Sequence, residues 1–239
     1  MSKVVWSLFD GSGYMGHEYA KNGWKVYCFN SSQADHGLYD AVRVKHPNIE
    51  YVDAWIDENF NPSADGWVDK SGEKIPAPNI IFAFPPCTDM AVSGAAWFKT
   101  KAAKDPFFQI KAIKTAKIAA WLGDFVFSCP YMIENPVSVL SSKWRKPDHT
   151  FNPYEYGGYL PLDDSHPFFP EYINPRDSYP KKTCLWTGNG FIMPTKNEVF
   201  VAKGYSDQHS KLGGKSAKTK LIRSLTPRGF AVAVYQYNH

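Results

Sequence analysis

The sequence predicts an α/β fold built on a doubly wound, mostly parallel sheet. Short apolar runs rich in strand-forming residues alternate with stretches of helical periodicity through the first 142 residues, and this alternation is typical of βαβ units. Each apolar run is followed by a polar residue, glycine or proline, as strands are where the chain turns at a sheet edge. The 239 residues, 44% hydrophobic and 21% charged, are enough for one compact domain with a sizeable core.

Five strands and three helices are predicted in this first part. The strands span residues 4–9, 25–29, 49–52, 79–84 and 131–133. The helices span residues 15–21, 38–45 and 105–122. In the third helix, lysines alternate with an apolar stripe, which indicates a solvated face more than a binding site. Because such sheets bind ligands at the carboxyl ends of their strands, the motifs that follow the strands are of most interest.

The texture of the sequence changes after residue 142. Residues 144–180 contain seven prolines and nine aromatic residues with little periodicity, which predicts an irregular lobe. Short strands are predicted at 183–186 and 198–201, and an apolar helix at 227–237 opens with proline. We therefore expect three parts: a cofactor-binding and catalytic core at 1–142, an irregular lobe with returning strands and minimal target recognition at 143–202, and a basic loop with a C-terminal helix at 203–239.

Composition argues against several kinds of site. The four cysteines are widely spaced, with no CxxC pair and no histidine cluster at metal-ligand spacing, so neither a metal site nor a disulfide framework is expected. No apolar run reaches the length of a membrane span, and the first residues lack the pattern of a signal peptide. These features predict a cytoplasmic protein with no membrane contact, and no segment indicates a protein partner. A net charge of +4 permits an anionic partner without requiring one.

The first candidate motif is FDGSG at residues 9–13, between a predicted strand and a predicted helix. Glycines there let the backbone turn tightly and approach a ligand at the carboxyl edge of a parallel sheet. The spacing is not that of a G-x-G-x-x-G fingerprint with its acidic partner, so a dinucleotide is disfavoured. Many strand-to-helix turns carry glycine for steric reasons, and alone the motif fits a structural turn equally well.

The second motif is FPPC at residues 84–87, after the fourth strand. Two prolines stiffen the loop and fix the direction in which Cys87 leaves it. A cysteine presented in this way suits a nucleophile, because the thiolate attacks well when its pKa is lowered. Taken alone, the motif fits a buried and inert cysteine slightly better.

The third motif is IENP at residues 133–136, at the end of the fifth strand. Glu134 would lie beside the FPPC loop if the two strands are neighbours. Burial would raise the pKa of its carboxyl group, and in the protonated state it could donate a hydrogen bond to a ring nitrogen. An isolated Glu-Asn-Pro is more commonly a cap on a turn or on the start of a helix.

In this order, each at a strand end, the three motifs resemble those of the cytosine-C5 DNA methyltransferases, most closely the compact forms of phages and prophages. LFDGSG resembles the cofactor loop of that family, FPPC its nucleophile loop, and ENP its Glu-Asn-Val element. KKTCLWTG at 181–188 and SLTPRGFAVAV at 224–234 resemble late segments of the compact forms. The resemblance implies a Rossmann-like fold of the S-adenosylmethionine-dependent type and methyl transfer to C5 of cytosine in duplex DNA.

The resemblance also implies roles for individual residues. Cys87 would attack C6 of a flipped cytosine while Glu134 hydrogen-bonds N3. Within the cofactor site, Asp53 would contact the adenine amino group, and Ser31 stands where the family has an acidic residue for the ribose. The residues expected to hold S-adenosylmethionine are Phe9, Asp10, Gly11, Ser12, Gly13, Ser31, Asp53 and Pro85.

Four residues are candidates for contacts with DNA. The family resembled has a Gln-x-Arg-x-Arg element whose arginines help to hold the cytosine and the DNA backbone, and this sequence lacks it. Arg223 and Arg228 are candidates for that role by composition alone. Lys215 belongs to the stretch 203–228, which holds seven basic residues against one acidic residue and suits a flexible loop on a phosphate backbone. A solvated basic loop fits that stretch about as well. Ser93 belongs to a segment after the nucleophile that we expect to form a mobile loop over the flipped base.

The region between the ENP motif and the C-terminal helix is too short for a large target-recognition domain. Two other hypotheses therefore stay open. One keeps the chemistry but changes the substrate to a free cytosine nucleotide or to single-stranded nucleic acid. The other is a DNA-binding relative with impaired catalysis, because the ribose carboxylate and the arginine element are both missing.

Overall fold

A computed structural model describes residues 2–33, 39–213 and 216–239 of the chain. In chain order the strands are β1 (Val4–Leu8), β2 (Lys25–Asn30), β3 (Ile49–Asp53), β4 (Gly66–Val68), β5 (Lys74–Pro76), β6 (Ile80–Ala83), β7 (Tyr131–Pro136), β8 (His149–Phe151) and β9 (Thr183–Gly188). The α-helices are α1 (Tyr14–Lys21), α2 (Phe98–Lys104), α3 (Phe108–Trp121), α4 (Leu140–Lys143), α5 (Asp207–Lys211), α6 (Ala217–Ser224) and α7 (Arg228–Tyr237). Across the described residues, no helix combines the length and the apolar character needed to cross a bilayer.

Seven strands form one sheet in the order β3-β2-β1-β6-β7-β9-β8, and β4 and β5 form a separate hairpin. The first five strands of this order are parallel, whereas β9 runs antiparallel to both β7 and β8. The chain order reverses between β1 and β6, which makes a crevice at their carboxyl ends, where sheets of this kind bind ligands. The predicted α/β fold with a doubly wound, mostly parallel sheet is therefore confirmed.

The sheet is covered on both faces because its central strands are apolar on both faces. All five residues of β1 are buried, and successive side chains point to opposite sides. Trp6 packs on one side with aromatic residues that include Phe29 and Phe60, in the cluster that also holds the buried residues of α3. Val5 packs on the other side against α1 and α7. Helices on both faces place the carboxyl edge of the sheet at the surface, between the two layers.

Two predicted elements were wrong. Within the described part of residues 38–45, only Tyr39–Ala41 forms a single 3₁₀ turn, and Leu38 lies outside the described residues. The chain there is bound to the FDGSG loop instead, because Val44 N donates to Ser12 O at 2.9 Å. The strand predicted at 198–201 is irregular, since Val199 N donates a single hydrogen bond to Tyr154 O where a strand would need a ladder.

The late part of the chain contains elements that the sequence did not predict. Within 144–180, β8 adds a three-residue edge to the sheet, while the remainder is largely irregular as expected. The stretch 203–228, expected to be a flexible loop, contains α5 and α6. Serine caps begin both helices: Ser206 Oγ accepts from Gln208 N and Ser216 Oγ accepts from Thr219 N, each at 3.2 Å.

Candidate active site

Asp10 holds together the FDGSG loop that follows β1. Its carboxylate accepts hydrogen bonds from Ser7 Oγ and from the backbone N–H groups of Ser12 and Gly13, all at 2.8 Å, and from Ser12 Oγ at 3.0 Å. The side chain is only 4% exposed. The side chains of Asp10 and Ser12 therefore hold the loop in shape by bonding within it. A ligand at this edge would contact the backbone of the loop.

The two glycines of this loop are required by close approach of tyrosine side chains. A Cβ at Gly11 would collide with the ring of Tyr39, and a Cβ at Gly13 would collide with the hydroxyl of Tyr51. Gly13 also has φ 78°, and Phe9 at the strand exit has φ 59°, so the backbone reverses sharply on both sides of Asp10. Tyr39, which no sequence pattern singled out, borders the loop, and its hydroxyl lies 2.7 Å from Ser224 Oγ.

Asp53 and Ser31 lie next to this loop, at the carboxyl ends of β3 and β2. Asn30 is paired in register with Asp53, and Asp10 N donates to Phe29 O at 3.1 Å. Hydrogen bonds from Ser32 N at 2.8 Å and from Ser32 Oγ at 2.9 Å hold the pKa of Asp53 below its usual range, so this exposed carboxylate is ionised.

The arrangement fits the adenosine part of a nucleoside cofactor. A carboxylate has about four lone-pair sites, so the two bonds from Ser32 leave Asp53 able to accept from ribose hydroxyls or from an amino group. Ser31 Oγ accepts from Gln33 N at 3.2 Å and can still donate its own proton. The two side chains therefore offer one strong acceptor and one donor at neighbouring strand ends.

The loop after β6, which carries Cys87, is hydrogen-bonded to the end of β7, which carries Glu134, and to the segment that follows β7. Three bonds of 3.0 Å join them: Asn135 Nδ2 to Pro85 O, Val92 N to Val137 O, and Val139 N to Met90 O. The carbonyl of Cys87 accepts from the N–H groups of Met90 and Ala91, which closes a turn directly after the cysteine. Because the Cys87 loop is held against β7 and the segment after it, the positions of Cys87 and Glu134 are fixed relative to one another.

The charge environment keeps the Cys87 thiol protonated in the free protein. Burial raises the pKa of Cys87, the nearby Glu134 carboxylate raises it further, and the Lys181 ammonium lowers it. Burial also raises the pKa of Glu134, and Lys181 again opposes the change. The three groups therefore form one electrostatic unit, in which Cys87 and Glu134 disfavour each other's negative charge and Lys181 favours both.

A narrow cavity lies beside Glu134, between the carboxyl ends of β6 and β7 and the start of α7. It encloses about 10 Å³, which is room for about one water molecule, so a base would enter only with some movement of its walls. The lining combines three aromatic rings with one acidic and one basic side chain. The lining residues are Phe84, Glu134, Phe151, Lys181, Ser224, Leu225, Thr226, Pro227 and Phe230.

The side chains of the candidate DNA contacts Arg223 and Arg228 bond to other parts of the protein. Arg228, the first residue of α7, makes a bidentate salt bridge with Asp164, with N–O distances of 2.9 and 2.7 Å. Arg223 is exposed, and its guanidinium donates to Leu212 O at 3.1 Å. Ser93 is exposed in a 3₁₀ segment, Val92–Trp97, that leads into α2, so the segment expected as a loop is helical. Lys215 lies outside the described residues.

We expect Arg228→Ala to lower the free energy of unfolding by about 3–5 kcal/mol, because it leaves the Asp164 carboxylate buried without its partner. The side chains of Arg228 and Asp164 are only 16% and 6% exposed. Urea unfolding measures the change, with Lys146→Ala as an exposed control that should change stability by less than about 0.5 kcal/mol. Unchanged stability together with weakened DNA binding would instead assign Arg228 to the nucleic acid.

Lys181 and Asn135 complete the site, and sequence reasoning assigned neither a role. Both lie inside motifs already noted in the sequence, KKTCLWTG and ENP, and that position was the one indication of a role at the site. In the described part of the chain, no group of three or more histidine, cysteine or acidic side chains is placed to hold a metal ion. All four cysteines are free thiols.

No protein-family model matches the chain, and no curated protein matches it. Among solved structures, one from E. coli aligns with a TM-score of 0.38 and 12% identity over 78% of this chain. It is described as a provisionally assigned DNA modification methyltransferase encoded within a prophage, and the chain spans 46% of its length. A likeness of this size carries no argument about function, which therefore depends on the site itself.

Proposed function

We propose that this protein is an S-adenosylmethionine-dependent DNA methyltransferase that modifies C5 of cytosine, with Cys87 as its nucleophile. The observation that carries the proposal is that the Cys87 loop is held against the end of β7, which carries Glu134, directly beside the FDGSG loop at the crevice of the sheet. A nucleophile, an acid and a nucleoside-binding edge in one place suit covalent activation of a pyrimidine ring. The three motifs that resemble the cytosine-C5 family are the same three loops.

The cofactor would be held by the carboxyl edge of β1, β2, β3 and β6. When bound, S-adenosylmethionine supplies an electrophilic methyl group. Asp53 and Ser31 would hold its ribose and adenine, as their hydrogen-bonding capacity allows. The FDGSG backbone, bent by Phe9 and Asp10, would hold the methionine part, and Pro85 would form the wall next to the nucleophile.

Cys87 and Glu134 would activate the cytosine. As the Sγ–C6 bond forms, electrons of the C5–C6 double bond shift through C4 towards N3, where Glu134 donates its hydrogen bond. C5 thereby becomes electron-rich, as attack on the methyl group of a bound cofactor would require. Loss of the C5 proton to water would then let the C6–Sγ bond break, which would restore the aromatic ring and return Cys87 as a thiolate. The base must leave the helical stack to reach both residues.

The surface beside the nucleophile supports a DNA substrate. Helix α2 carries Lys99, Lys101 and Lys104, of which Lys101 Nζ donates to Thr88 O at 2.9 Å and so ties the helix to the Cys87 loop. Lys99 and Lys104 are exposed on the same helix. Phosphate contacts from Lys99 and Lys104 would position a strand close to Cys87 and would weaken as salt rises.

The proposal is tested by trapping on duplex DNA that contains 5-fluorocytosine, with S-adenosylmethionine present. Because the fluorine at C5 cannot be lost as a proton is, the Sγ–C6 bond should persist and give a protein–DNA adduct that survives denaturing electrophoresis. Cys87→Ala should give no adduct, and Cys129→Ala, which alters a buried cysteine away from the crevice, should give as much as the parent. A folded parent protein that gives no adduct on duplex, single-stranded or nucleotide substrate overturns the proposal. Adduct on the nucleotide alone moves the activity to that substrate.

A further inference from the structure

We infer that Lys181 is a positioning residue that stabilises the thiolate of Cys87, so that Cys87 can ionise as Glu134 takes up a proton. The inference deepens the proposed function, since it concerns the same two reacting groups. Lys181 is thus a cation at the site that the sequence analysis did not identify, since it named Arg223 and Arg228 by composition. Its basis is the placement of one lysine side chain between two elements that pack at the cavity.

The backbone brings Lys181 to the end of β7. Strand β9 runs antiparallel to β7 with Thr183 paired to Pro136, so the residues just before β9 lie at the strand end that carries Glu134. Lys181 and Glu134 both line the narrow cavity, and among the described lining residues they are the two that carry charge. Asn152 Oδ1 accepts from Lys181 N at 3.1 Å, which fixes the chain at this point.

The ammonium group is also held in place. Lys181 Nζ donates to the carbonyl of Arg223, near the end of α6, at 2.7 Å. An ammonium has three N–H donors, so this bond orients the group without exhausting it. The side chain is half-buried, which strengthens its charge interactions relative to those of a fully solvated lysine. Arg223 thus acts on the site through its backbone, while its guanidinium bonds to Leu212 O.

The groups that face Cys87 and Glu134 explain why a cation is needed. Tyr39, from the segment after β2, and Glu134 interact electrostatically with Cys87. Tyr179 and Cys184 interact in the same way with Glu134. Each of these groups is neutral or negative, so Lys181 supplies the positive charge that both Cys87 and Glu134 sense.

The proton balance follows from this arrangement. The proposed transfer starts from an ionised Glu134 and a neutral Cys87, with the Lys181 ammonium beside them. The proton that leaves Sγ is the one gained by the Glu134 carboxylate, which then donates the hydrogen bond to N3 of the base. Lys181 faces one negative charge before and after this transfer, and the net charge of the three groups does not change. Without the ammonium, the thiolate would form at a partly buried position with no compensating charge.

Alkylation of Cys87 tests the inference without cofactor or DNA. Full-length parent, Lys181→Met, Lys181→Arg and Glu134→Gln proteins are treated with iodoacetamide between pH 7 and 11, and the modified Cys87 peptide is quantified by mass spectrometry. A nearby opposite charge shifts a pKa by about one unit or more, so Lys181→Met should react about tenfold more slowly at pH 8. Lys181→Arg should stay close to the parent, and Glu134→Gln should react faster, because it removes a negative charge that opposes the thiolate.

The neighbouring Lys182, which is exposed, provides the matched control. Lys182→Met should leave the alkylation rate unchanged, and far-ultraviolet circular dichroism checks that each variant is folded. If Lys181→Met alkylates like the parent, or if Lys181→Arg loses as much as Lys181→Met, the inference is overturned. If Lys181→Met does not fold, the folded Lys181→Arg and Glu134→Gln proteins decide: Lys181→Arg must keep the parental rate and Glu134→Gln must react faster than the parent, and failure of either overturns the inference. Altered alkylation with no adduct on 5-fluorocytosine DNA would keep the inference and overturn the proposed function alone.

Discussion

Replacement of Cys87 by alanine should abolish methyl transfer to DNA, lowering kcat by at least about 10³-fold. The proposed chemistry needs Cys87 because C5 of cytosine becomes a nucleophile only after a group has added to C6. Tritium transfer from labelled S-adenosylmethionine to duplex DNA measures the loss. Free energy of unfolding should change by no more than about 1 kcal/mol, since the change removes one sulfur atom from a partly exposed side chain.

The control for this experiment is Cys129→Ala, which alters a buried cysteine in the core below the sheet and should keep the parental turnover. Binding of S-adenosylmethionine by Cys87→Ala, measured by calorimetry, should match that of the parent, because the cofactor contacts come from other loops. Methylation by Cys87→Ala at a rate comparable to the parent would remove covalent catalysis from consideration.

Replacement of Glu134 by glutamine should lower kcat by about 10²- to 10⁴-fold, the usual range for loss of a positioned acid. Glutamine keeps the size of the side chain and can still donate a hydrogen bond to N3, but it cannot accept the proton that leaves Cys87. The matched control is Glu58→Gln, on an exposed residue that pairs with Lys114, and it should behave as the parent.

The same variant should change the shape of the pH dependence. In the parent, the active form needs an ionised Cys87 and a protonated Glu134. Below the pKa of Glu134 both groups are protonated, so the rate falls as pH falls; above the pKa of Cys87 both are ionised, so the rate falls as pH rises. Between the two pKa values the rate is flat. Because Glu134→Gln leaves only Cys87 to titrate, its reduced rate should rise with pH through the pKa of Cys87 and then stay level. A bell-shaped profile in Glu134→Gln would assign the acidic group to another residue.

The parallel strands that carry the site could be predicted because their signal is local. Strands buried on both faces must be continuously apolar, and β1, β2, β6 and β7 each show an apolar run followed by a polar or stiff loop. Strand β8 escaped prediction because a three-residue edge forms only when β9 is there to pair with it. Helices α5 and α6 were not predicted because their basic residues suggested a solvated loop, although a serine cap precedes each of them.

The sequence by itself determined the fold class and the chemical candidates: a cysteine behind two prolines, a glutamate at the next strand end, and a glycine loop before them. Tertiary structure alone decided which groups act on those candidates. In the folded chain Arg228 pairs with Asp164, and the Asp10 carboxylate accepts hydrogen bonds within its own loop. Lys181, just before β9, lines the same cavity as Glu134. The physical reason is that a strand or helix is determined largely by residues close together in the sequence. The charge state of Cys87 depends instead on groups far apart in the sequence that only the packed sheet brings together.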